Sequence, residues 1–288
     1  MFKKKKDQTY QSYWSISWNI FKKNKVAMVC LFIVILLCLI ALFAPLIAPY
    51  DPNKQVLTDR LMKPCGQHWF GTDDLGRDIF SRIIYGCRVS LSVGIISQII
   101  ATVIGYTMGV CAGYYGGKVD SVISFLIQVF SSFPFLLFAM AIMFVLGPGL
   151  INLYLALGLL GWASTARLIR GDVMRLKKME YIDACKVSGG NSFRIIMKHL
   201  LPNCLSTLIV TVTLGIPNAI MSEASLSFLG LGVKAPMASW GSMISFSQPY
   251  IRSATYYSVI PGLAIIITVL AFNMLGDGLR DAFDSKLK

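Results

Sequence analysis

Residues able to do chemistry are few in this sequence, and their spacing excludes most of what they suggest. Gly117-Lys118 matches the end of a phosphate-binding loop, but position 112 is Ala where the pattern needs Gly, and position 119 is Val where it needs Ser or Thr. The cradle and the magnesium-binding hydroxyl are both missing, so no ATP site is expected in the chain. The two histidines, His68 and His199, fall on opposite sides of the membrane in the topology derived below and cannot share a metal. Neither an HExxH helix nor a GxSxG elbow occurs, which leaves a hydrolase without a nucleophile and base. Seven cysteines (Cys30, Cys38, Cys65, Cys87, Cys111, Cys185, Cys204) show no CxxC spacing, and most lie in or beside apolar runs, where a thiol behaves as a small hydrophobe. Cys65 and Cys87 share one hydrophilic stretch and are expected to be free thiols rather than a bridge. No catalytic, cofactor-binding or metal-binding residue is predicted.

The polar residues concentrate instead in one stretch, "EYIDACKVSGGNSFRIIMKHLLPN" (180–203), which holds four basic and two acidic side chains between very apolar neighbours. Each charge near the centre of a bilayer costs at least ~2.5 kcal/mol, so this stretch must face water. Its flanks are of another kind. The chain is 55% hydrophobic and only 14% charged, which places it among integral membrane proteins. The net charge of +13 sits between apolar runs, so sidedness in a membrane explains it better than a nucleic-acid partner.

Six segments are apolar and long enough to span as helices: 26–48, 89–112, 119–146, 150–166, 204–221 and 256–275. The first has 23 residues, too long for a secretory leader's apolar core, and is expected as an uncleaved span. An even number of spans puts both termini on one side. Of the 27 Lys and Arg, 19 lie in the N-terminal arm, the link at Lys118, the stretch 167–198 and the C-terminal tail. The positive-inside rule places these, and both termini, in the cytoplasm. The expected organisation is an interfacial arm and first span in 1–60, an extracytoplasmic segment in 61–87, and a core of five spans in 88–280.

Several local features refine these spans. Trp14, Trp18 and Phe21 recur at helical spacing with lysines following, as in an amphipathic helix lying among lipid headgroups. Gly105, Gly109, Gly113 and Gly117 form a small-residue stripe for close helix packing, expected within the chain. Pro134 and Pro217 should kink their spans. Gln98, Gln128, Asn152 and Asn273 in the spans, with Glu223 near the outer end of the fifth, are expected to face a cavity or a helix contact, and Gln98, Gln128, Asn273 and Glu223 are the candidates for lining a pathway. So little intramembrane charge suits a wide neutral path more than an ion pore or proton pump.

The stretch 180–203 reads as helix, turn, helix. Acidic residues open a first helix over 180–187, Gly189-Gly190 stops it, and Asn191 or Ser192 caps a second. On the second helix Phe193, Ile196 and Leu200 share a stripe, a knob suited to a groove in another protein. This pattern resembles the EAA loop of ABC-importer permeases, written EAA, three residues, Gly, nine residues, Ile, one residue, Leu-Pro. Here Asp183-Ala184-Cys185, Gly189 and Leu201-Pro202 stand at that spacing, with Asp for Glu, Cys for the second Ala and His199 for Ile. The dipeptide, oligopeptide and nickel branch is more similar still, since it runs from a Glu-Tyr pair to His-x-Leu-Pro-Asn, matched by Glu180-Tyr181 and His199 to Asn203. "HWFGTDDLGRDIFSRIIYGCRVSL" (68–91) and "SEASLSFLGLGVKAPMASWGSMIS" (222–245) resemble segments of the C-type permease of that branch, in the same order.

The resemblance implies an all-α permease with six spans, of the type I ABC importer fold. It would pair with a second homologous permease, be driven by two cytoplasmic ATP-binding subunits and be fed by an extracytoplasmic solute-binding protein or lipoprotein. Glu180, Asp183, Ala184, Gly189 and Pro202 would then belong to the coupling helix on an ATPase groove. Pro202 would start the fifth span, where its missing donor costs nothing. Di- or oligopeptides are the expected cargo. Nickel or a metallophore complex is the alternative within the branch, and an ATP-independent pore or scaffold the alternative outside it.

Overall fold

A computed structural model describes the backbone over residues 13–284 and the side chains from Ser15 onward. Twelve α-helices run in order as α1 (Tyr13–Lys23), α2 (Lys25–Leu42), α3 (Ala44–Ile47), α4 (Ile79–Tyr115), α5 (Gly117–Ser132), α6 (Phe135–Leu146), α7 (Leu150–Leu176), α8 (Glu180–Val187), α9 (Ser192–Ile195), α10 (Leu201–Phe228), α11 (Trp240–Ser247) and α12 (Thr255–Asp284). Among the described residues there is no strand, only one isolated bridge between Thr72 and Asp78.

Among the described residues, four helical runs are long and apolar enough to cross a membrane alone: α2, α4, the run Ser192–Phe228 and α12. The expected third span is not one kinked helix. It is two helices, α5 and α6, bent by 90° and passing the same test only as a pair. The break follows from Pro134, whose ring forces the preceding Phe133 into extended backbone (φ −93, ψ 139) and removes a donor from the ladder. The segment expected as the fourth span lies in α7, whose 27 residues reach about 40 Å. Its second half carries Arg167, Arg170, Asp172 and Arg175, and it falls outside the apolar runs. Among the described residues, length and composition therefore give four spans, or five with the bent pair, and α7, which holds the segment expected as the fourth span, is not among them.

Helices α4 and α7 pack along most of their length, and glycine makes the approach possible. A Cβ at Gly105 would lie 2.6 Å from Thr165 Cβ, one at Gly109 2.7 Å from Ala166 O, and one at Gly113 2.8 Å from Val173 Cβ. Gly158 of α7 returns the favour to Ile100. The expected fourth member, Gly117, takes no part: it opens α5 with φ +52 and nothing within 4 Å of its would-be Cβ. α12 packs against α2 through Gly278 and against α10 through Gly276.

The aromatic stripe of the arm divides on folding. Phe21 is buried with Ala27 and Leu275, tying α1 to α2 and α12, whereas Trp18 stays exposed with Lys22 Nζ 5.3 Å over its ring. The Trp14 side chain lies outside the described residues.

Candidate functional site: a helical elbow and a polar cavity

The elbow at 180–203 folds as the sequence predicts in outline and differs in detail. Glu180 and Asp183 lie in the exposed first turn of α8, Asp183 pairing with Lys186 at 2.7 Å, and Ala184 is exposed beside them. Gly189 turns the chain with φ +80, a region that favours glycine, while Gly190 has no room for a Cβ, which would stand 2.5 Å from Cys185 Sγ. Asn191 caps α9 by accepting from Arg194 N at 2.8 Å. From Ser192 the helix continues without interruption into α10.

One expectation fails there. The predicted stripe of Phe193, Ile196 and Leu200 is not one face: Leu200 is buried and Ile196 half-buried, while Phe193 is 71% exposed. The side chains that seat the elbow are Ile182, Ile195 and Leu200, packed with Val110, Ile169 and Val173 of the bundle. Of the apolar side chains left outside, Val187, 90% exposed, and Phe193 stand out furthest, ahead of Tyr181 and Met197. Pro202 stands in the first turn of α10, where the sequence places it. It follows a π turn over Ile196–Leu200, closed by Leu201 N donating to Ile196 O. Proline lacks the donor for a regular turn and its ring crowds the carbonyl four residues back, and one extra residue in the turn relieves both. Asn203 Nδ2 satisfies the neighbouring His199 O at 2.6 Å. Tyr114 at the end of α4 reaches the elbow through Ser192 Oγ at 3.3 Å, so the elbow is tied to α4 as well as to α10.

Above the elbow a cavity of about 1150 Å³ is bordered by α4, α6, α7, α10 and α12. Its longest wall is one face of α10, where Asn203, Thr207, Thr211, Gly215, Asn218, Ser222 and Ser225 recur at helical spacing. The repeat of small polar residues every three or four positions is visible in the sequence, but that it faces a cavity is not. Charge appears in the lining near the elbow, as Asp172, Arg175, Arg280 and Asp284. Asp172 joins α7 to α10 by accepting from Thr207 Oγ1 at 2.6 Å.

Of the polar residues singled out in the spans, only Gln98 lines the cavity. Its amide rests on Gly215, where a Cβ would lie 2.1 Å from Gln98 Oε1. Gln128 is exposed on α5, and Asn273 is half-buried on α12 away from the lining. Asn152 Nδ2 donates to Leu146 O and Gly147 O, holding the end of α6 against α7. Glu223 is fully buried rather than pathway-facing: its Oε1 accepts from Ser227 Oγ and Ser239 Oγ, both at 2.6 Å. Ser239 also caps α11, so this carboxylate holds α11 against α10.

At the end of the bundle opposite the elbow, the stretch 68–82 builds a buried ion cluster. Asp73 accepts from Leu75 N and Arg77 N and pairs with Arg77 Nε at 2.6 Å and Arg82 Nε at 3.4 Å. Arg82 Nη1 donates to Pro52 O, and Asp78 caps α4 through Ser81 N while meeting His68 Nδ1 at 2.9 Å. Tyr257 OH donates to Asp74, which locks the start of α12 to the same loop. Trp240 of the 222–245 stretch donates from its backbone N to Ser90 Oγ and from Nε1 to Ile83 O. The two motifs are therefore docked on one another. Cys65 is exposed, Cys87 is buried, and both are free thiols. Among the described residues no group of three His, Cys, Asp or Glu is placed to hold a metal.

A helical membrane bundle with a continuous elbow-to-span helix and a polar wall facing a cavity is the architecture of a transport permease. The chain belongs to the family of binding-protein-dependent transport system inner membrane components, whose sequence profile matches residues 102–288. The N-terminal transmembrane domain of oligopeptide transport permease C matches residues 12–64. The dipeptide transport system permease protein DppC of Bacillus subtilis is 45% identical over 278 residues, covering 96% of this chain and 87% of its own. The glutathione transport system permease protein GsiD of Pectobacterium atrosepticum is 41% identical over 284 residues, covering 98% and 94%. In fold, the chain is similar to an inward-facing MetNI methionine ABC transporter structure, with a TM-score of 0.57 at 20% identity, covering 71% of this chain and 97% of that one. The fold is that of a type I ABC importer permease.

Proposed function

We propose that this chain is one permease half of an ATP-driven importer of di- or oligopeptides in a bacterial cytoplasmic membrane. It pairs with a second homologous permease that closes the open side of the cavity. Two ATP-binding subunits dock on the elbow from the cytoplasm, where both termini lie, and a solute-binding protein or lipoprotein delivers cargo to the opposite end. Peptide cargo is favoured over nickel by the relatives, whose names are dipeptide, oligopeptide and glutathione permeases.

One observation carries the mechanism. The elbow buries Ile182, Ile195 and Leu200 in its own bundle yet leaves Val187 and Phe193 outside, on either side of the Gly189 turn. Apolar knobs held by a rigid seat suit insertion into a groove on another subunit. Because the run Ser192–Phe228 is continuous, a displacement of the knobs moves the cavity wall directly.

The test is Gly189→Val, expressed with the partner subunits. A β-branched residue is strained at φ +80, while nothing within 4 Å would clash, so the turn should distort without disturbing the spans. Membrane abundance should match wild type, and peptide uptake should be lost, with ATP hydrolysis uncoupled or the ATPases no longer co-purifying. Unchanged uptake and co-purification would reduce the elbow to a surface loop.

A further inference from the structure

Across the cavity, α10 presents Thr211, Asn218, Ser222 and Ser225, and Gln98 of α4 meets the same face at Gly215. From 211 to 225 these residues cover about 21 Å of helix axis, a polar stripe that hydrocarbon would not tolerate against lipid. All are uncharged, and four spend a donor on their own helix. Thr211 Oγ1 donates to Thr207 O (2.7 Å), Asn218 Nδ2 to Leu214 O (3.1 Å), Ser222 Oγ to Asn218 O (2.8 Å) and Ser225 Oγ to Met221 O (2.9 Å).

A hydroxyl or amide that has placed its donor in this way keeps acceptor lone pairs. The hydroxyls of the wall are thus left as neutral acceptors, with the Asn218 amide adding its oxygen and one remaining N–H, and the wall is satisfied enough to persist when nothing is in the cavity. The group that complements it brings N–H donors at intervals along its length and varies in the charge of its side chains. A peptide main chain has that chemistry. Fixed carboxylates here would hold ammonium groups and repel acidic side chains. Neutral acceptors offset the dehydration of backbone N–H groups without favouring any side chain. Gly215 serves the same surface, since any side chain there would displace the Gln98 amide from it.

We propose that this face of α10, with Gln98, is a main-chain-reading track: it accepts hydrogen bonds from the backbone N–H groups of an extended peptide in transit and is indifferent to side chains. The inference rests on the peptide cargo proposed above. Selection by side chain then falls to the binding protein, and the permease contributes passage.

The experiment uses the complete transporter with its binding protein in proteoliposomes, and compares uptake of trialanine, of tripeptides with a central Lys or Glu, and of trialanine N-methylated at its internal amides. The variants are Asn218→Leu and the double change Ser222→Ala with Ser225→Ala. The expected result is slower uptake of all three unmethylated peptides by a common factor, roughly 3- to 10-fold for each hydrogen bond lost. Asn218→Gln should restore most of the rate, and the variants should discriminate less against the N-methylated peptide than wild type does. Unchanged uptake in both variants overturns the track, as does a loss confined to the Lys or the Glu peptide. Loss of permease co-purification in both variants would instead assign this face to the second permease. A wild-type transporter that takes up none of these peptides would sink the cargo assignment itself, a result separable from failure of the track.

Discussion

Asp73 shows how a charge can be obligatory without being catalytic. It is fully buried, accepts from two backbone amides, and faces both Arg77 and Arg82, so its negative charge is balanced only by groups that are themselves buried. Asp73→Asn keeps the shape and removes the charge, leaving Arg82 without its carboxylate and Arg77 with only Asp74 at 3.7 Å. Breaking a buried pair from one side costs about 3–5 kcal/mol. The purified chain in detergent should therefore melt several degrees lower, whereas Lys63→Gln, at an exposed cation of the same loop, should leave the midpoint unchanged. Equal midpoints would show that the cluster is solvated. Glu223 belongs to the same kind: it was legible as unusual because it is a carboxylate in an apolar run, but its role as a tie between α10 and the α11 cap needed Ser239 in view.

Among elements, the α4–α7 pair sets the frame that holds the cavity's far wall. Its glycines differ sharply in what they allow. A side chain at Gly109 would press on Ala166 O and Ile169 Cβ, atoms of backbone and stem that cannot swing away, whereas Gly171 in α7 has nothing within 4 Å. Gly109→Val should separate the helices and lower both membrane abundance and thermal stability. Gly171→Ala should be neutral or stabilising by about 0.5–1 kcal/mol, since it only restricts the unfolded chain. Comparable melting of the two variants would mean that the close packing contributes little. The glycine repeat itself was readable from the sequence. That three of its four members pack on α7 while Gly117 opens the next helix was not, because the end of α4 is fixed at Gly116, with φ +70, and not by the four-residue period.

For the whole molecule, the proposed orientation puts the ion-cluster end outside and the elbow inside. Cys65 is exposed at the first end and Cys87 is buried, so a membrane-impermeant thiol reagent applied to intact cells should modify Cys65 and spare Cys87. A thiol introduced at the elbow as Ser188→Cys should react only after the membrane is opened. Labelling of that position in intact cells would invert the topology and remove the elbow from any cytoplasmic ATPase.

The sequence alone determined what depends on neighbours in the chain. Apolar runs of sufficient length specify helices in a membrane, and Gly189 and Asn191 specify a turn and a cap. A proline specifies a disturbed helix at Pro134 and Pro217 alike, but not that the first divides two helices at 90° while the second stays inside α10. These are local rules of hydrophobicity, backbone freedom and hydrogen-bond supply, and they hold wherever the segment ends up. Tertiary structure alone decided which face of each element is used. Phe193 and Ile195 are two positions apart on one short helix, and only the packing of Ile195 against Val110, Ile169 and Val173 turns Phe193 outward. Gln98 reaches the cavity and Gln128 does not, though both are single amides in apolar helices, because Gly215 on a distant segment makes room for one of them. Contacts between residues a hundred positions apart leave no periodic trace in either segment, so they become visible only when the bundle brings the segments together.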